Sequence, residues 1–239
     1  EKPIAATVEE AERIAATAAR HGRVLQVGHL ERFNPAVTVL EKLVRLPLFF
    51  EVHRLSIFTP RSLDVDVVLD LMIHDLEIIL ALTNAEPEEI RAAGISILSP
   101  KVDIANVRLA FPGGCVANIT ASRVSTEKVR KMRIFQPSEY LAVDYSKQDL
   151  LAIAVSPERQ IQFKPTPVAK DEPLKLELEH FIDCIRTRQQ PRVSGIEAVR
   201  ALRVARDIMR HIDEHAAVVR GTLDANTSLL NAIPSNPTR

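Results

Sequence analysis

The spacing of apolar positions changes along the 239-residue chain, from helical to strand-like and back again. Ala11, Ile14, Ala15, Ala18 and Ala19 recur at helical intervals and mark the buried stripe of a first helix. Thr7 stands at its N-cap, Glu10 completes a capping-box spacing, and His21-Gly22 ends it. Val24 to Gly28 then reads as a short strand. A helix leading straight into such a strand is the pattern of an α/β layer with a parallel sheet, so the opening reads as the last α/β unit of a larger domain. Asn34-Pro35 starts a second helix, with Val37, Leu40 and Val44 on one side. Leu48 to Phe58 reads as a strand, and the polar stretch Thr59 to Asp66 as a loop.

The loop delivers the chain to an apolar run, Val65 to Leu82. Its length and its lack of Gly and Pro predict a helix over Val67 to Leu82, which places Asp70 and His74 on one face. A carboxylate and an imidazole in so apolar a helix are costly unless paired, hydrogen-bonded or employed in chemistry. Taken alone, such a pair is more often a satisfied polar contact beneath a core than a catalytic site.

From Glu89 the period shortens. Ile90 to Leu98, Ile104 to Phe111, Cys115 to Val124, Val129 to Gln136, Glu139 to Asp144, Leu150 to Val155 and Ile161 to Pro165 read as strands, with a hairpin turn at Pro112-Gly113-Gly114. Short connections between successive strands mean an antiparallel sheet. The helical period returns in Leu174 to Arg188, with apolar Leu174, Leu178, Phe181, Ile182 and Ile185. It continues after a Ser194/Glu197 capping box, with Val199, Leu202, Ala205 and Ile208 on the inner face. From Thr222 the chain reads as a polar, loosely held tail.

Composition narrows the function. Thirty-one basic and thirty-one acidic side chains cancel, which removes the footprint of a nucleic-acid or membrane-surface binder. Cys115 and Cys184 make no disulfide framework and no zinc motif, and His74 with Glu77 at i, i+3 finds no third metal ligand at a suitable spacing. Glu1-Lys2-Pro3 leads into a charged amphipathic pattern, not a signal peptide, and charges interrupt the longest apolar run, so a cytoplasmic protein is expected. The seven glycines form neither G-x-G-x-x-G nor a P-loop.

Three motifs resemble the Gfo/Idh/MocA family of NAD(P)-dependent oxidoreductases, which act mainly on sugars and polyols. They are Glu1-Lys2-Pro3, the segment Val27-Gly28-His29-Leu30-Glu31-Arg32-Phe33-Asn34-Pro35, and Asp70-x-x-x-His74. Their order and spacing agree with the family over almost the whole chain, and the wording is most similar to sugar-nucleotide 3-dehydrogenases of the UDP-N-acetylglucosamine type. Many members carry Gly where this chain has Met72. The resemblance implies an α+β fold: an open, mostly antiparallel sheet with helices on one face, preceded by the last α/β unit of a Rossmann domain. It divides the chain into a Rossmann remnant (1–28), a substrate-binding, catalytic and oligomerising domain (29–221) and the tail (222–239).

For the site, the resemblance implies His74 as acid/base, Asp70 orienting its ring, and Lys2 hydrogen-bonding the reacting oxygen. It implies Glu1 and Lys2 at the nicotinamide end of NAD or NADP, and His29, Arg32 and Asn34 toward a sugar or sugar-nucleotide, with Arg123 as a further candidate. It also implies a homo-oligomer, dimer or tetramer, formed through the sheet; apolar residues of both parities in Cys115 to Val124 point the same way. Two alternatives stay open: a sugar-binding or regulatory relative without turnover, and an NAD-dependent glycosidase of the same family.

Overall fold

The computed structural model describes residues 1–60 and 63–226. The first helix, α1 (Val8–Arg20), starts on the capping box: the Thr7 side chain accepts from the Glu10 amide, and Glu10 reaches back to the Thr7 amide. Such a cap is worth about 1 kcal/mol. Only Ala11 of α1 is buried, and Ile14 and Ala19 face outward, contrary to the expected stripe. The reason is that α1 packs on α5 (Gly195–Ala225) through one edge, with Ala15 against Gly195. Val24 to Gly28 is not a strand. With no strand beside it among the described residues, it makes a single bridge, Gln26 to Ser194, and a bond from the Val27 amide to the Val193 carbonyl.

A 3-10 turn (Leu30–Phe33) leads into α2 (Pro35–Leu43), which Asn34 caps through the Ala36 amide. The eight strands are β1 (Phe49–Ile57), β2 (Glu89–Ile95), β3 (Ile104–Ala110), β4 (Val116–Ser125), β5 (Val129–Gln136), β6 (Glu139–Asp144), β7 (Asp149–Val155) and β8 (Ile161–Lys164). They form one open sheet in the order β2-β3-β4-β1-β5-β6-β7-β8. Every pair is antiparallel except β1 with β4. That exception has a simple cause: β1 enters from the helical layer and is inserted between β4 and β5, which run in opposite senses.

One face of the sheet carries the core, with Phe50, Val52, Val107, Leu109, Ile119, Met132, Ile134 and Leu141 all fully or nearly fully buried. The helices cover this face, including the central helix that follows β1. That element is not a uniform α-helix: Val68–Met72 forms a π-helical turn before α3 (Ile73–Thr83). Single π turns inside helices occur often at functional sites.

The other face of the sheet is open. β4 presents Asn118 and Thr120 there, so its apolar residues of both parities are not the exposed patch that the sequence implied. The apolar row lies one sheet-half away. Phe49, Phe135, Tyr140, Ile153 and Phe163 are successive cross-strand partners on β1, β5, β6, β7 and β8.

In α4 (Pro173–Thr187), the inner contacts come from Glu177 and Cys184, while Leu174, Leu178, Ile182 and Ile185 are exposed. α5 runs to Ala225, past the expected start of the tail at Thr222, and the remainder of that tail lies outside the described residues, as do positions 61 and 62 of the predicted loop.

Candidate active site

The π turn is where Lys2 is seated. Within Val68–Met72, the Lys2 Nζ donates to the Asp70 carbonyl at 2.5 Å and to the Leu69 carbonyl at 3.4 Å. The same ammonium lies 3.4 Å from Asp70 Oδ1, with both side chains partly exposed. Burial lowers the Lys2 pKa from its ordinary value, and Asp70 opposes that shift. The amine at the start of the chain and the acid in the central helix, 68 residues apart, therefore meet at one place.

His74 follows in the first turn of α3, half-buried, with Nδ1 shielded from solvent and without a partner. Burial, then the charges of Arg54 and Lys2, hold its pKa well below the ordinary histidine value, so the ring is neutral at neutral pH. The expectation that Asp70 orients this ring is not met: the Asp70 carboxylate is turned to Lys2, and the His74 Nδ1 donates nothing to it. His29, 1% exposed, stands edge-on to His74 with ring centroids 6.1 Å apart, and neither of its nitrogens has a partner. Burial first, and Lys2 and Arg32 after it, push its pKa down to about 3.

The other expected site residues are placed differently. The Arg32 guanidinium is occupied by two carboxylates, Glu41 and Glu77, the latter at 2.5 Å. Glu77 is itself pushed up to about 7 by burial, against the pull of Arg32. Asn34 spends its side chain on the α2 cap, on the Tyr145 carbonyl at 3.0 Å and on Glu31 at 3.3 Å. Arg123 is buried at the far end of β4, where it pairs with Asp103 at 3.8 Å and donates to the Val65 carbonyl. Asp103 in turn accepts the amides of Ile97, Leu98 and Ser99, so Arg123 secures the loop before the central helix. Glu1 is exposed at the chain end, and its Cα lies 3.3 Å from where a Cβ on Gly28 would stand. Thus Lys2, Asp70, His74 and His29 come together, while Arg32, Asn34 and Arg123 are engaged in holding the fold.

Sequence reasoning missed the charged layer beneath His74. Arg54 of β1, 2% exposed, makes a two-pronged pair with Asp75, its Nε at 2.5 Å and its Nη2 at 3.0 Å from the carboxylate oxygens. The signal was available: Phe50, Val52 and Arg54 alternate on one parity of β1, which points Arg54 inward.

The chain belongs to the Gfo/Idh/MocA family: its profile for the GFO/IDH/MocA C-terminal domain matches residues 48–136. Over 211 residues it is 36% identical to the UDP-N-acetylglucosamine 3-dehydrogenase of Acidithiobacillus ferrooxidans, covering 86% of this chain and 67% of that protein. A solved structure of the 3-dehydrogenase from the same organism superposes with a TM-score of 0.85 at 35% identity, covering 90% of this chain and 70% of that one. The scyllo-inositol 2-dehydrogenase (NAD(+)) of Bacillus subtilis is 24% identical over 228 residues, covering 85% of this chain and 65% of that protein. The chain thus spans about two thirds of the length of the relatives it matches. Among the described residues no helix is long and apolar enough to cross a membrane.

Proposed function

We propose that this chain carries the catalytic and substrate-binding part of an NAD(P)-dependent dehydrogenase, and that it acts on a secondary alcohol of a sugar nucleotide. One observation carries the reading. In a chain 36% identical to a UDP-N-acetylglucosamine 3-dehydrogenase, the Lys2 ammonium is seated on the Asp70 carbonyl, four residues before a neutral His74 whose Nδ1 has no partner.

Oxidation of an alcohol requires removal of its proton as hydride leaves carbon. A neutral His74 is in the form that accepts this proton. Lys2, fixed on the Leu69 and Asp70 carbonyls, points a positive charge at the oxygen on which negative charge develops. Asp70 holds that ammonium charged and in place. His29 walls the site from the other side and contributes a neutral ring.

The nicotinamide cofactor, when bound, supplies the hydride acceptor. The chain fits the nicotinamide end of such a group through the part-buried Lys2 ammonium, with exposed Glu1 next to it in sequence. Its glycines include no G-x-G-x-x-G to cradle the phosphates, so no residue of this chain is assigned to them.

The open apolar row supports self-association through the sheet. Phe135 is 40% and Phe163 70% exposed on it, in line with the partly covered Phe49, Tyr140 and Ile153.

The test is to incubate the intact protein with NAD+ or NADP+ and UDP-N-acetylglucosamine. The expected result is one reduced nicotinamide formed per ketosugar nucleotide. Release of free sugar with no net reduced cofactor makes the protein a glycosidase, and binding without either product makes it a non-catalytic relative.

A further inference from the structure

We propose that Arg54 is a positioning residue for the His74 site, locking the His29 segment and the His74 helix to the same point of the sheet through Glu31 and Asp75. The proposal rests on the reading of His74 as the proton-handling group.

Four charges alternate through the layer beneath the site. Arg130 Nη1 lies 3.5 Å from Glu31 Oε1, the same oxygen accepts from Arg54 Nη1 at 2.9 Å, and Arg54 grips Asp75 with its remaining edge. Tyr145 closes the arrangement, its ring centroid 5.1 Å from the guanidinium carbon. Each partner comes from a different element. Glu31 lies in the 3-10 turn two residues after His29, Asp75 adjoins His74 in the first turn of α3, and Arg54 and Arg130 project from paired strands.

A pronged guanidinium–carboxylate pair fixes direction as well as distance. Holding the Asp75 carboxylate therefore fixes the rotation of α3 about its own axis, and with it the direction of His74. Holding Glu31 does the same for the turn that carries His29. The edge-on packing of the two rings is the outcome. An apolar trio would bury as well at no desolvation cost, so what the charged layer adds is orientation.

The groups facing His74 are Lys2 from the chain start, His29 from the turn, Arg54 from β1 and Arg130 from β5. On its own element Asp70 is taken by Lys2 and Asp75 by Arg54. Arg54 thus also supplies a positive charge next to the ring.

The experiment is ring-nitrogen NMR on protein labelled with 15N-histidine, without cofactor or substrate, assigning His74 by its loss in His74→Gln. In the parent protein His74 is expected to be neutral at about pH 7, to titrate below the ordinary histidine value and to give one sharp set of ring signals. In Arg54→Lys, which keeps the charge and loses the fork, it stays neutral but its ring signals shift and broaden as the ring loses its fixed direction, and kcat falls about 10- to 100-fold with KM nearly unchanged. In Arg54→Gln it titrates closer to the ordinary value. If Arg54→Gln does not fold, the Arg54→Gln/Asp75→Asn double variant leaves no lone buried charge, and the same shift and broadening of the ring signals is expected there. Folded variants with parental His74 signals overturn the proposal. Because the signals are read without turnover, a protein that transfers no hydride removes the dehydrogenase reading and leaves this result standing.

Discussion

His74→Ala is expected to lower turnover about 10²- to 10⁴-fold, the usual worth of a positioned general base. Cofactor affinity should hardly change, because the proposed role of His74 is to take the substrate's proton and not to bind the cofactor. The fold should hold as well: the ring is half-buried and its Nδ1 satisfies nothing, so truncation leaves no partner orphaned. Steady-state kinetics with cofactor and sugar nucleotide each varied check the first two points, denaturant unfolding checks the third, and free imidazole is then titrated into the variant. Partial recovery of kcat with imidazole supports proton transfer through this position. Near-parental turnover in the alanine variant removes His74 from the mechanism.

Acid should destabilise the protein more steeply than its carboxylates alone would. His29 titrates near pH 3 when folded and near 6.5 when unfolded, so between those values the unfolded chain binds the extra proton. Stability is then full above about pH 6.5 and falls by about 1.4 kcal/mol per pH unit on the way down, for this one group. His74, also lowered, adds in the same direction. Glu77 has the opposite sign: its carboxyl is raised from 4.5 to about 7, so it weakens the fold as pH rises through that window. Comparing denaturant unfolding of parent and His29→Leu from about pH 7 to about pH 4.5 isolates the His29 share, since the other groups are common to both. The leucine variant should show the shallower acid slope. Parallel slopes would mean that the His29 ring is protonated in the folded protein.

The strands were legible as short apolar or alternating runs bounded by turn residues, and β5 and β6 begin and end where the run does. The site motif was legible for a different reason, since Asp70 and His74 are conspicuous inside an apolar run. What the pattern could not carry were features set by distant partners. Val24 to Gly28 has the residues of a strand but gains one bridge, because strand structure belongs to a pair and not to a segment. The π turn at Val68–Met72 has no signature in hydropathy, although it carries the carbonyls that seat Lys2. Arg32 and Asn34 read as substrate contacts from their motif, yet both are spent on Glu41, Glu77 and the α2 cap. Their use could be seen only once 45 residues of chain had folded back to bring Glu77 to Arg32.

In the proposed reaction one carbon of the sugar gives its hydrogen to nicotinamide while His74 takes the hydroxyl proton. The direct measurement uses UDP-N-acetylglucosamine carrying deuterium at C3 of the sugar, with the reduced cofactor analysed by mass spectrometry. Deuterium recovered on the nicotinamide ring in the parent protein, with transfer suppressed in His74→Ala, is the predicted result. Deuterium retained in the sugar or lost to water, with none on the cofactor, contradicts it.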